Sequence, residues 1–166
     1  MRVWACGLLA AMGFSCLAMA HGQARAGATG NYVDAIDYPS PEGGWDRFFD
    51  LEASLAGGFD SVCGDTFCEG DYSNLRPLSY RCSVERTSGI IGECVWTFAG
   101  SYQDIDPDNG KVKVDARLWQ CRTPINPGTH IEQLYSALEP IGPHDVLHKL
   151  LPGGNKSIYD GLTECL

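Results

Sequence analysis

The chain has 166 residues, of which 12 are basic and 21 acidic, giving a formal net charge of −9 at pH 7; 44% of its residues are hydrophobic and eight are cysteine. A balance this acidic repels nucleic acid and anionic lipid, so those partners are set aside, and it favours cationic partners. The length suits a single domain whose core is large enough not to depend wholly on cross-links.

Residues 1–26 read as a secretory signal. Arg2 supplies the positive start, Val3–Ala20 is apolar, and two small-x-small sites follow, Ala18-Met19-Ala20 and Ala24-Arg25-Ala26. The apolar stretch approaches membrane-spanning length, but Gly7, Gly13 and the Ala-x-Ala endings suit cleavage between Ala20 and Ala26. No integral membrane segment is expected after its removal. Cys16 lacks the leucine three residues upstream that a lipoprotein site wants, so Cys6 and Cys16 are assigned to the discarded segment. Two of the 12 basic residues and none of the 21 acids lie in that segment, which leaves ten basic and 21 acidic residues and a formal charge of −11. The remainder is expected in the periplasm or outside the cell.

Six cysteines remain: Cys63, Cys68, Cys82, Cys94, Cys121 and Cys165. An even count in an exported chain implies disulfides, and six cysteines allow about 15 connectivities. Zinc fails on spacing, because there is no Cys-x-x-Cys and no nearby histidine pair.

Residues 27–39 are small, polar and aperiodic and are expected to form a flexible N-terminal arm; residues 40–166 are expected to form one disulfide-stabilised domain. Ser40-Pro41-Glu42 has the pattern of a helix start. Trp45, Phe48, Phe49, Glu52 and Leu55 recur at helical spacing, with the aromatics expected in the core. Gly57-Gly58 is expected to end or kink the helix, with Phe59 and Val62 continuing the stripe if it resumes.

Val62–Asn74 then gathers two cysteines, Asp65, Glu69, Asp71 and two glycines between this helix and a run of strands. A bridge within the loop, or from it to the strands, would hold its carboxylates in a definite place. After it the period changes to two. Tyr80, Cys82 and Val84 alternate, Thr87-Ser88-Gly89 makes a three-residue hairpin loop with Gly89 at the position needing positive φ, and Cys94, Trp96 and Phe98 alternate on the return. Asp106–Gly110 is the next turn, and Lys111–Cys121 the third strand, with Val112, Val114, Ala116 and Leu118 alternating.

A first turn centred on Ser88 sets Cys82 opposite Cys94, and a second centred between Pro107 and Asp108 sets Cys94 opposite Cys121. Three cysteines in a row cannot all pair with one another, so one must reach a helix or the loop. The preferred set is Cys63–Cys68, Cys82–Cys94 and Cys121–Cys165. The C-terminal part is helical: Thr129-His130-Ile131-Glu132 has the form of a capping box, His144–Leu151 forms one or two further turns, and Ser157 starts a last helix carrying Ile158, Leu162 and Cys165 on one face. The expected fold is α+β: an N-terminal helix, an antiparallel meander of three or more strands, and C-terminal helices on one face, stapled by disulfides.

The loop offers two chemistries. As a binding edge it would present Asp65, Thr66, Phe67, Glu69, Asp71 and Tyr72 to a protein partner with a basic patch; as a catalytic pair, Glu69 and Asp71 would exchange and hold a proton at a glycosidic bond. Asp104, Asp106, Asp108 and Asp115 have the spacing of a calcium loop, but Asn109 stands where glycine is needed and Asp115 where glutamate is, so a hairpin turn is expected instead. His144 and His148 are one helical turn apart without the glutamate of a His-Glu-x-x-His site, and no metal or cofactor is assigned.

Three readings from different classes stay open: an exported acidic binding or inhibitory, immunity-like protein presenting the Asp65–Tyr72 loop; a small cell-wall or glycan hydrolase using the paired carboxylates; and a structural envelope protein without a discrete site. The first is preferred, because the chain is small, acidic and stapled and lacks a complete catalytic set. In this it is similar to small exported bacterial proteins that neutralise enzymes or toxins, a likeness of general character with no shared motif.

Overall fold

The computed structural model describes residues 30–139, 142 and 145–166. The segment read as a signal and His144 lie outside the described residues. Helix α1 spans Trp45–Cys63, α2 Ile131–Leu138 and α3 Ile158–Thr163; the strands are β1 Tyr32–Asp34, β2 Arg76–Glu85, β3 Ile91–Ile105 and β4 Val112–Arg122. The strands form one antiparallel sheet in the order β1-β2-β3-β4. The protein is α+β, with three disulfides in the preferred set: Cys63–Cys68, Cys82–Cys94 and Cys121–Cys165.

The core lies between one face of the sheet and the helices. Period-two alternation puts Tyr80, Cys82 and Val84 of β2 and Cys94, Trp96 and Phe98 of β3 on that face, all buried, with Cys121 of β4 beside them. Along α1, Phe48, Leu51, Leu55 and Phe59 are buried. Phe48 stacks on Tyr80 at 6.0 Å, while Phe59 lies 6.0 Å from Trp96 and 4.9 Å from Phe98. The Cys121–Cys165 bridge draws the end of the chain, and α3 with it, onto the same face. Arg47 of α1 forms ion pairs with Glu132 and Glu139, clamping α2 beside it. The Glu139 hydrogen bond holds the Arg47 guanidinium charged well above its ordinary range.

Several expectations are corrected. The stretch read as a loose arm supplies β1: Tyr32, Val33 and Asp34 pair with Glu85, Val84 and Ser83, a strand too short to show a period. The pattern at Ser40-Pro41-Glu42 is a turn with Gly43 N–H donating to Ser40 O at 2.8 Å, and α1 starts at Trp45. Gly57-Gly58 does not end the helix, since α1 runs through to Cys63. Each mid-helix glycine costs about 1 kcal/mol, which burial of Phe59 offsets at about 1.5–3 kcal/mol. Trp45 is not core but 52% exposed at the first turn, edge-on to Phe49. The cap of α2 is His130 rather than Thr129: His130 Nδ1 accepts from Glu132 N–H at 3.1 Å, and Thr129 is buried with its hydroxyl donating to Asn126 O.

The first hairpin has the expected register, with Cys82 opposite Cys94 and Gly89 at φ +74°. A side chain at Gly89 would also run into His130 and the Tyr38 hydroxyl, so both conformation and space require glycine there. The second register is two residues away from the expected one: Trp96, not Cys94, faces Cys121. The turn closes with Gly110 N–H donating to Asp106 O and Asp106 N–H to Lys111 O, both at 2.8 Å, which centres it between Asp108 and Asn109. A slip of two preserves the face, so Cys121 still points into the core.

Beyond Ala99, where pairing with β2 ends at Arg76, β3 and β4 continue together as a two-stranded ribbon out to Ile105 and Val112. Val112, Val114, Ala116 and Leu118 lie on the face away from the helices, exposed. Their parity explains this: even-numbered residues of β4 cannot share a face with Trp119 and Cys121.

Candidate functional site

The loop from Gly64 to Asn74 leaves α1 by continuing its coil. Thr66 N–H and Cys68 N–H both donate to Cys63 O, at 3.2 and 2.7 Å, and the Cys63–Cys68 bridge closes the turn. Gly70, at φ +86°, reverses the chain. Four anchors then hold the segment. Phe67 stacks on Phe59 at 5.8 Å and meets Tyr159 of α3 at 5.4 Å. Tyr72 lies edge-on to Trp119 at 5.2 Å and donates its hydroxyl to Asp115 Oδ2 at 2.6 Å. Asn74 exchanges hydrogen bonds with Ser101, through Nδ2 to Oγ at 2.8 Å and from the Ser101 N–H at 2.7 Å. Leu75 is buried.

The six residues expected to bind therefore separate into two groups. Phe67 and Tyr72 are half-buried and turn their rings inward, and the Thr66 hydroxyl donates to Val62 O at 2.6 Å. Asp65, Glu69 and Asp71 are exposed. The concavities beside Trp45–Asp50, beside Asn126–Gly153, between β1 and β2, and around Leu78 and Leu118 are lined by other residues than Glu69 and Asp71.

The electrostatics centre on the junction of loop and ribbon. Arg117 pairs with Asp115 at 2.8 Å and places its guanidinium 4.8 Å over the Tyr72 ring. The Tyr72 hydrogen bond, and after it the Arg117 one, hold the Asp115 carboxyl below the ordinary aspartate range. Desolvation first, then the hydrogen bond to Asp115, raise the Tyr72 hydroxyl. Asp71 adds its field, favouring the charged form of Arg117 and the neutral form of Tyr72.

Of the Tyr72–Asp115–Arg117–Trp119 cluster only Tyr72 is among the residues expected to bind; Asp115, Arg117 and Trp119 are not. Its sequence signal is that odd-numbered β4 residues share the inner face with Cys121, but nothing local brings Tyr72 to them. The calcium-like spacing resolves into turn chemistry: Asp106 accepts from Asp108 N–H at 3.0 Å and pairs with Lys113 at 3.0 Å. His148 lies 4.3 Å from the Tyr159 ring. Among the described residues no helix is long and apolar enough to cross a membrane.

Comparison with protein-family models, with curated proteins and with solved structures gives no match for this chain.

Proposed function

We propose that the protein is an exported binding module of the inhibitory or immunity type, which presents the Asp65–Tyr72 loop to a protein partner carrying a basic patch. The observation that carries this reading is the loop itself. It is fastened by the Cys63–Cys68 bridge, by Tyr72 on Asp115 and by Asn74 on Ser101, while Asp65, Glu69 and Asp71 remain exposed. A surface ordered before encounter loses less conformational entropy on binding, so fixed carboxylates bind a cationic patch better than mobile ones. The excess of acids over bases adds long-range steering toward such a patch. Three disulfides suit an oxidising compartment outside the cytoplasm.

The test begins with cross-linking the disulfide-intact protein in its native envelope and identifying the partner by mass. Affinity for that purified partner is then measured at two salt concentrations, for the native protein and for a variant carrying Asp65→Asn, Glu69→Gln and Asp71→Asn. The variant is expected to melt normally, to associate more slowly, and to lose most of the salt dependence. Full affinity at both salts with normal melting removes the loop from the binding surface.

A further inference from the structure

We propose that the free edge of β4 pairs with the same edge of a second copy of the chain, antiparallel about a two-fold axis at Ala116, making one continuous sheet of eight strands. This goes beyond the binding loop, although its two charged residues, Asp115 and Arg117, also meet Tyr72 of that loop within the chain.

The observations begin with the hydrogen-bond phase of the β3–β4 ladder. Thr123 N–H donates to Cys94 O at 2.9 Å, and Asp106 N–H to Lys111 O at 2.8 Å, each joining residues whose numbers sum to the same value as every β3–β4 pair. In an antiparallel ladder such pairs alternate, so odd-numbered β4 residues direct their backbone groups to β3. The N–H and C=O groups of Val112, Val114, Ala116, Leu118 and Gln120 therefore face the open side of the sheet, where β4 is the last strand. Natural edges are usually blunted by charged side chains, proline, a bulge or a covering element, and of these β4 carries charge, in Lys113, Asp115 and Arg117. This one has no proline and its register with β3 runs without a shift. Among the described residues it is covered only at its far end, where Gly161 of α3 sits close to Arg122 O. The open length is thus Val112–Gln120, and its midpoint is Ala116.

The side chains select the same axis. With the two-fold at Ala116, Asp115 faces Arg117 of the second copy, and Arg117 faces its Asp115. These are non-hydrogen-bonded positions, where side chains approach most closely. On the other face Val114 meets Leu118, and Ala116 meets itself. Moving the axis to Asp115 opposes Asp115 to Asp115 and Lys113 to Arg117. Moving it to Arg117 opposes Arg117 to itself and needs the covered end at Arg122. Moving it to Val114 shortens the pairing to Val112–Ala116 within the strand and sets Lys111 against Arg117. Only the axis at Ala116 both uses the whole open edge and opposes unlike charges. The apolar residues that would continue across the joined sheet are uncovered in the single chain: Val112 is 60%, Val114 63% and Leu118 70% exposed. Such an arrangement is an isologous interface, in which each patch is its own complement.

The experiment is sedimentation velocity on the disulfide-intact protein from about 1 to about 100 µM, a range that reveals micromolar association. A concentration-dependent dimer is expected. Ala116→Pro removes an N–H that faces the open edge and no β3–β4 bond, so it is expected to leave a folded monomer. Asp115→Arg and Arg117→Asp each oppose like charges at both contacts and are expected to weaken self-association at least about tenfold. An equimolar mixture of those two variants restores unlike charges at both contacts and is expected to form a heterodimer. Circular dichroism in the near ultraviolet checks that each variant is folded. A monomer at every concentration overturns the proposal. So does a dimer untouched by Ala116→Pro, a mixture that stays monomeric, or a monomer that instead takes up an unrelated extended peptide along β4.

Discussion

Tyr72 donates its hydroxyl to Asp115 Oδ2 at 2.6 Å, joining the loop that follows α1 to the outermost strand of the sheet. The bond is made to the charged carboxylate and therefore lowers the pKa of Asp115. A depressed carboxyl adds stability at pH above its unfolded value, and that stability is lost as pH falls through the folded value. In Tyr72→Phe the Asp115 carboxyl is expected to titrate at higher pH than in the native protein, and the acid-side fall in stability to become shallower. Carbon-detected nuclear magnetic resonance of the Asp115 carboxyl measures the first, and denaturant midpoints from neutral pH into the acid range measure the second. An unmoved Asp115 titration would show that this bond does not hold the loop in solution.

The disulfides are expected to differ in weight according to the loops they close. Their sequence separations are 5, 12 and 44 residues for Cys63–Cys68, Cys82–Cys94 and Cys121–Cys165. The chain-entropy relation gives losses of about 2, about 3 and about 4 kcal/mol when each pair is replaced by alanines. Urea midpoints of the three paired variants test the ranking. Equal losses, or the largest for Cys63–Cys68, would mean that native-state packing and not loop closure sets their worth.

Within the loop, stability and surface charge are carried by different residues. Phe67→Ala removes a half-buried ring from contact with Phe59 and Tyr159 and is expected to cost about 1–3 kcal/mol, below the range for a fully buried phenylalanine. Glu69→Gln together with Asp71→Asn is expected to leave the melting temperature within a degree or two, since changes at exposed sites away from packed contacts are usually small. Thermal melts of the two proteins side by side decide the matter; a large loss from the charge variant would assign those carboxylates a structural role.

Glu52 joins α1 to β2. Its carboxylate accepts from Tyr80 N–H at 2.6 Å and from Arg81 Nη1 at 3.2 Å, next to the irregularity between Pro77 and Ser79 where β2 shifts register. Glu52→Ala leaves the Tyr80 N–H without its acceptor and is expected to cost about 1–3 kcal/mol. Glu52→Gln keeps a carbonyl acceptor in place and is expected to cost less. Urea midpoints for the two substitutions, and amide exchange at Tyr80, report on it; identical behaviour of the two variants would remove the acceptor from the explanation.

Local chemistry was legible where it is self-contained. Gly89 with its positive φ announced the first turn, and the turn set Cys82 against Cys94. The second turn was centred one residue early, which moved the register by two, because Asp106–Gly110 offers several equivalent centres and only the closing bond to Gly110 chooses among them. β1 was hidden because three residues carry no period, and α1 ran through two glycines because packing of Phe59 outweighs local propensity. The place of the loop could be read from its cysteines and acids, whereas its docking on β4 could not. Tyr72 and Asp115 are separated by 43 residues, and no local pattern joins them. The parity clash between Val112–Leu118 and Cys121 was present in the sequence, but deciding which face is covered needs the helices.

Among the described residues each cysteine is bridged to the next one along the chain: 63 to 68, 82 to 94, 121 to 165. For a polypeptide threaded N-terminus first into an oxidising space, that order means the first free thiol a new cysteine meets is its correct partner. A plain thiol oxidant acting during translocation would then produce the native pairing, with no wrong bridge to be reshuffled afterwards. The exception in timing is Cys121, whose partner lies 44 residues further along the chain. In such a passage it would wait as a free thiol until Cys165 arrives, so a chain stalled between the two would carry a reactive sulfur that the bridged protein hides.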